Sequence, residues 1–149
     1  DHRDLHSFPT RRSSDLTAER IKISIGSAIR LNENKNIEIQ GQDQVSGLPK
    51  PVMITTDDVV DALEQPLNDL VILIRNTLEK TPPELISDII DRGVALCGGG
   101  ALLSGIDKYL TKALGIPAYL VDNPMTCTAE GAAKAFTMKN VLKRSLNRV

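Results

Sequence analysis

Apolar residues in the stretch TAERIKISIGSAI recur at Ile21, Ile25, Ala28 and Ile29, a spacing that lines up one stripe of an amphipathic helix beginning at Thr17. Glu19 and Lys22 fall three positions apart on a different face. The period then changes from helical to alternating. In NIEIQ, Ile37 and Ile39 alternate with polar neighbours, and after the turn-rich GQDQVSGLPK the run PVMIT makes a second short strand. These elements predict a small α+β unit ending near Thr56.

Thr55, with Asp58 three residues on and Val59 and Val60 following, is a helix-start signature with its carboxylates at the favourable end. The seam Val60, Leu63, Leu67, Leu70, Ile74 and Leu78 predicts a long helix with one face buried for about five turns. Pro66 is expected to kink that helix or restart it. Pro82-Pro83 opens a short helix through ELISDII, which Gly93 ends. VALC reads as a short buried strand, three glycines follow, and LLSGIDKYLTKAL reads as a helix closing at Gly115. IPAYLV predicts another strand, Asp122-Asn123-Pro124 a turn, and Thr126 the cap of a last helix, CTAEGAAKAFTMKNVLK. From Val94 onward the order strand, helix, strand, helix indicates a βαβ crossover and an α/β layer.

Composition removes several classes of function. The 149 residues carry 18 Lys and Arg against 19 Asp and Glu, a net charge of −1 with no basic footprint for nucleic acid and no polybasic stretch for an anionic membrane. The longest aliphatic run, Leu70 to Ile74, is far below the ~20 residues that span a bilayer. Cys97 and Cys127 are the two cysteines, too few and too widely spaced for a disulfide scaffold or the paired ligands of a zinc site, which suits a reducing cytoplasm. The first sixteen residues, DHRDLHSFPTRRSSDL, lack the apolar core of a signal peptide and resemble translated sequencing-adapter DNA. They are set apart as a non-native segment. His2 and His6 lie in it, so a mechanism needing a histidine base or metal ligand has no candidate in the remainder.

The chemistry centres on RGVALCGGGALLSG, residues 92–105. A strand that breaks into glycines before a helix brings backbone N–H groups against a phosphate with no side chain in the way. The dinucleotide fingerprint fails, because Gly98 and Gly100 are followed by Leu103 where the third glycine belongs. The phosphate-loop pattern fails as well, since Gly100 and Gly105 are followed by Ile106 and Asp107 instead of Lys and Ser or Thr. Nucleotide contact and a tight turn needed for packing both remain open on the residues alone.

TPPELISDIIDRGVALCGGGALLSGIDKYL (81–110), GIPAYLVDNPMTCTAEGAAKA (115–135), TAERIKISIGSA (17–28) and GLPKPVMIT (47–55) together resemble, in order, the C-terminal part of the MreB family of bacterial rod-shape proteins. The likeness runs from Leu16 to about Lys139. It implies an α/β fold: part of an actin-like, ribonuclease H-like second domain with a small α+β outer subdomain. Residues 17–56 would belong to the outer subdomain, 57–141 to the inner subdomain with its adenosine motif, and 142–149 to a tail.

On this resemblance Gly98, Gly99 and Gly100 let the sugar and phosphate edge of ATP or ADP approach the backbone, and Leu102 and Leu103 border the base. Glu19 would accept ribose hydroxyl hydrogen bonds, and the stem of Lys22 would cover the base from the opposite side. The bland alternative for that pair is a solvated ion pair of ~0.2–0.5 kcal/mol. Cys97 and Cys127 read as packing side chains, and Ala132 and Ala133 as a site of close helix packing. No residue is assigned to catalysis and none to a metal.

The implied function is that of an ATP-binding cytoskeletal filament protein, which maintains rod shape by organising membrane-bound wall-synthesis proteins beneath the inner membrane. The family's phosphate loops and the acidic group that positions Mg²⁺ lie upstream of the matched residues, so the C-terminal piece by itself is expected to be nearly inert in hydrolysis. Alternatives within the superfamily are an FtsA-like division protein, for which NVLKRSLNRV is a poor membrane tail, and a sugar-kinase or acetate-kinase-type phosphotransferase.

Overall fold

The computed structural model describes residues 13–42, 45 and 47–138. His2, His6 and the tail at 142–149 lie outside the described residues. The chain forms two compact units, one up to Gln65 and one from Pro66 onward.

In the first unit, helix α1 runs Ser13–Ile25 and is followed by an antiparallel hairpin of β1 (Asn36–Gln42) and β2 (Pro49–Thr55), in register from Asn36 opposite Thr55 to Gln42 opposite Pro49. The helix starts four residues inside the segment set apart above. It also stops earlier than its apolar stripe predicts, because the Gly26 N–H closes it on the Lys22 carbonyl at 2.9 Å. Ala28 therefore lies beyond the helix, although it is buried together with Ile25 and Ser27. In β1 the alternation holds: Ile37 and Ile39 are half-buried, while Glu38 and Gln40 are exposed.

Helix α2 spans Thr56–Glu79 as one element with Pro66 inside it, so of the expected kink or restart the restart does not occur; the division between the two units falls at that proline. Its start is over-determined. Thr55 donates through both its N–H (2.8 Å) and its hydroxyl (2.6 Å) to Asp58 Oδ2, and the Asp58 N–H returns a bond to Thr55 Oγ1 at 3.3 Å. Fully buried Thr56 exchanges hydrogen bonds with the Lys35 backbone, and Arg30 reaches Asp61 at 2.6 Å. The buried apolar residues of the helix are Val59, Leu67 and Val71, and Leu70 of the predicted seam is 37% exposed. A step of four from Leu67 to Val71, then three to Ile74, follows the 3.6-residue turn.

The hydroxyl of Thr55 first, and its N–H second, hold the Asp58 carboxyl below the ordinary carboxylate range. A depressed folded-state pKa contributes stability above the unfolded-state value, and that contribution is lost as pH falls through the folded value. Below about pH 4, denaturant midpoints of the Asp58→Asn protein are therefore expected to fall less steeply with acid than those of the unaltered protein. Parallel curves would show that the cap does not titrate with folding.

In the second unit, α3 (Pro83–Arg92) begins behind Pro82 and ends at Gly93 as read from the sequence. β3 (Val94–Leu96) and β4 (Ala118–Leu120) are parallel neighbours, with Val94 opposite Ala118, and α4 (Ile106–Leu114) makes the crossover between them. This is the predicted βαβ unit. Ile106, Leu110 and Ile116 are buried, and Leu110 is only 2% exposed. Arg75 of α2 donates to the Ala113 carbonyl at 2.5 Å, satisfying a C-terminal carbonyl of α4 with a cation at the favourable end.

Several expectations in this unit change. β3 is half-buried at Val94 and Leu96 and exposed at Ala95, because the described sheet gives it one neighbour. Cys97, expected to be buried, is exposed just beyond the strand, whereas Cys127 is partly buried with its thiol 3.5 Å from the Pro124 carbonyl. The helix expected from Leu102 starts at Ile106, since Gly105 takes the left-handed conformation that a helix interior excludes. α5 runs Cys127–Thr137, and Thr126 stands at its cap position without capping it. The Thr126 hydroxyl donates instead to Glu130 at 2.6 Å. Ala132 and Ala133, expected at a site of close helix packing, are exposed.

Candidate functional site

Two loops leave the carboxyl ends of the neighbouring parallel strands β3 and β4, the end at which open α/β sheets place their ligands. The first begins at Cys97 and turns through the three glycines. Gly98 has φ 83° and ψ 175°, a region that essentially glycine alone populates. Its N–H donates to the Pro124 carbonyl at 2.8 Å, so the glycine loop is tied to the turn that follows β4.

A single 3₁₀ turn, Gly99–Leu102, comes next. It is closed by Ala101 N–H to Gly98 O and Leu103 N–H to Gly100 O, both at 3.2 Å. The amides of Gly99 and Gly100 find no hydrogen-bond acceptor among the described residues. The α-helix that was expected to present its N-terminus here begins several residues later. In place of that helix end, the loop has two amides without an acceptor among the described residues at the start of a 3₁₀ turn.

The three glycines are glycine for different reasons. A β-carbon at Gly98 would meet nothing within 4 Å, and the constraint there is the backbone conformation. At Gly99 the β-carbon would come within 3.3 Å of the Met125 sulfur, a packing constraint. Gly100 has neither: its φ lies outside the left-handed region and its β-carbon would face open space. Neither internal packing nor backbone strain accounts for the missing side chain at that position.

Leu102 is 56% exposed and Leu103 is half-buried with an extended backbone, so Gly98, Gly99, Gly100, Leu102 and Leu103 all belong to one loop of the second unit. Glu19 and Lys22 belong to the first unit, on α1, half-buried and exposed respectively. The sequence marks Asp122-Asn123-Pro124 only as a turn; the parallel pairing of β3 with β4 puts that turn, and Met125 after it, at the glycine end. Among the described residues no group of three or more His, Cys, Asp or Glu is placed to hold a metal ion, and no helix is long and apolar enough to cross a membrane.

This arrangement of strand, glycine turn, crossover helix and strand belongs to the actin-like fold. The solved structure of MreB5 of Spiroplasma citri bound to ADP matches 87% of the chain with a TM-score of 0.80 and 35% identity, and its AMPPNP-bound form matches 88% with a TM-score of 0.80 and 34% identity. The model of the MreB/Mbl protein family covers residues 13–144, and the chain belongs to that family. The cell shape-determining protein MreB of Escherichia coli K12 is 42% identical over 124 residues, 83% of this chain and 36% of that protein. The cell shape-determining protein Mbl of Bacillus subtilis is 41% identical over 134 residues, 89% of this chain and 40% of that protein. The chain thus spans well under half the length of these relatives and of either MreB5 chain, 40% of which is covered.

Proposed function

We propose that this chain is the C-terminal part of an ATP-binding, actin-like cytoskeletal protein that maintains rod shape by organising wall synthesis at the inner membrane. The observation that carries the nucleotide half of this reading is Gly100, whose missing side chain serves no packing or conformational need within the described protein. The free amides of Gly99 and Gly100 fit the sugar and phosphate edge of ADP or ATP, since backbone N–H groups bind anionic oxygen without bringing a side chain close. Leu102 and Leu103 supply apolar surface for the base. The ribose and base roles of Glu19 and Lys22 rest on the family resemblance alone, as does the division into an outer subdomain at 17–56 and an inner one from 57 onward.

Mg²⁺ and the attacking water are assigned to the upstream domain, so hydrolysis is a property of the full-length protein. Its other partners are copies of itself in filaments and the membrane proteins of wall synthesis. The ADP- and AMPPNP-bound states of MreB5 support the choice of ligand.

The test is sedimentation of the full-length protein with and without ATP. ATP-dependent pelleting is the expected result; a protein that neither binds nucleotide nor pellets would overturn the reading. Residues 17–149 expressed alone are expected to bind ATP poorly and to aggregate, because Leu102, Tyr119, Leu120 and Phe136 are exposed by 46 to 83%. A soluble monomer with micromolar ATP affinity would contradict that expectation.

A further inference from the structure

The turn after β4 is locked to the glycine loop at two points. Gly98 N–H donates to the Pro124 carbonyl at 2.8 Å, and the Met125 thioether lies so close over Gly99 that an added β-carbon would sit 3.3 Å from its sulfur. The turn has its own rigidity. Asn123 takes φ 51°, and its carbonyl accepts the N–H groups of both Thr126 and Cys127 at 2.9 Å, which joins the turn directly to the start of α5. Met125 nevertheless remains 66% exposed. An exposed apolar side chain at the head of a helix, resting on a loop that carries two unbonded amides, has little to do for the core and a specific effect on that loop.

We propose that Met125 is a positioning residue for the nucleotide site: its side chain holds the face of Gly99 so that the Gly99 and Gly100 amides stay aimed at the ligand. The inference rests on the nucleotide reading above and adds to it the second loop. Without the thioether, Gly98 keeps its single hydrogen bond to Pro124, while the 3₁₀ turn beyond it loses its backing and must be ordered by the ligand at the moment of binding. That ordering cost appears as weaker affinity. Leucine, apolar and of similar volume, can restore the backing.

The test compares the full-length protein with its Met125→Ala and Met125→Leu variants by ADP titration calorimetry and by amide hydrogen exchange at residues 98–100 without nucleotide. Met125→Ala is expected to weaken ADP binding by about three- to tenfold and to speed exchange at the glycines, with the thermal midpoint of the nucleotide-free protein unchanged. Met125→Leu is expected to restore both. If the unaltered protein binds ADP but Met125→Ala binds it equally well, or Met125→Leu binds it as weakly as Met125→Ala, the positioning role is overturned while the nucleotide site stands. If the unaltered protein binds no ADP, both readings fall together.

Discussion

Gly100→Val is expected to lower the ADP affinity of the full-length protein by at least about tenfold, equivalent to 1.4 kcal/mol, while leaving its unfolding free energy within about 0.5 kcal/mol. The separation follows from the geometry. Among the described residues no atom beyond the adjoining backbone lies within 4 Å of a β-carbon built there, and the backbone has no left-handed conformation for a branched side chain to resist. The valine would therefore enter only the space assigned to the ligand. Gly98→Val would combine a binding effect with backbone strain, and Gly99→Val would push against Met125. Titration calorimetry read against urea unfolding decides the matter, and unchanged affinity would mean that Gly100 faces solvent alone.

Gly93→Ala is the counterpart that damages folding. Gly93 ends α3 with its N–H on the Ile89 carbonyl at 2.8 Å, and its successor Val94 begins the β3–β4 ladder through a 2.7 Å bond to Pro117 O. Its φ of 81° and ψ of −177° lie where essentially glycine alone is found, and a β-carbon would stand 2.6 Å from the Pro117 carbonyl oxygen. Backbone strain and a clash with backbone act together, so a loss on the order of 3 kcal/mol or more is expected. Denaturant unfolding should show it as a lowered midpoint. A midpoint unchanged from that of the unaltered protein would mean that the junction of α3 and β3 differs from this geometry.

The two glycines show how much of the molecule can be read from its sequence. Local signals were legible: the exchange between Thr55 and Asp58, the proline start of α3 and the stops at Gly93 and Gly115 each depend on a few adjacent residues, and the structure has them all. The βαβ order was legible too, because strand and helix periods differ. Leu70 and Val71 were harder to separate, since neighbouring apolar residues on a long helix both fit a seam and only the actual turn angle chooses between them. The sequence also gives no sign that the crossover helix waits until Ile106, because apolar Leu102 and Leu103 continue its pattern while the conformation at Gly105 interrupts it.

In the site, the glycine run was visible but its division of labour was not. Gly98, Gly99 and Gly100 look equivalent as letters, and they differ only once the Pro124 carbonyl and the Met125 sulfur are in place. Cys97 departs from its expected burial for a related reason. Apolar residues before it suggest burial, yet the chain leaves the sheet at that position and the thiol is exposed. Contacts made by residues from distant parts of the chain set these outcomes, and no local pattern encodes them.

The glycine loop is the place proposed for the adenosine nucleotide. A crystal structure of the full-length protein grown with ADP tests this most directly. The nucleotide is predicted to lie beside Gly98, Gly99 and Gly100, with the Gly99 or Gly100 amide within hydrogen-bond distance of its sugar or phosphate oxygens. ADP bound at another surface, or protein side chains filling the space next to Gly100, would contradict it.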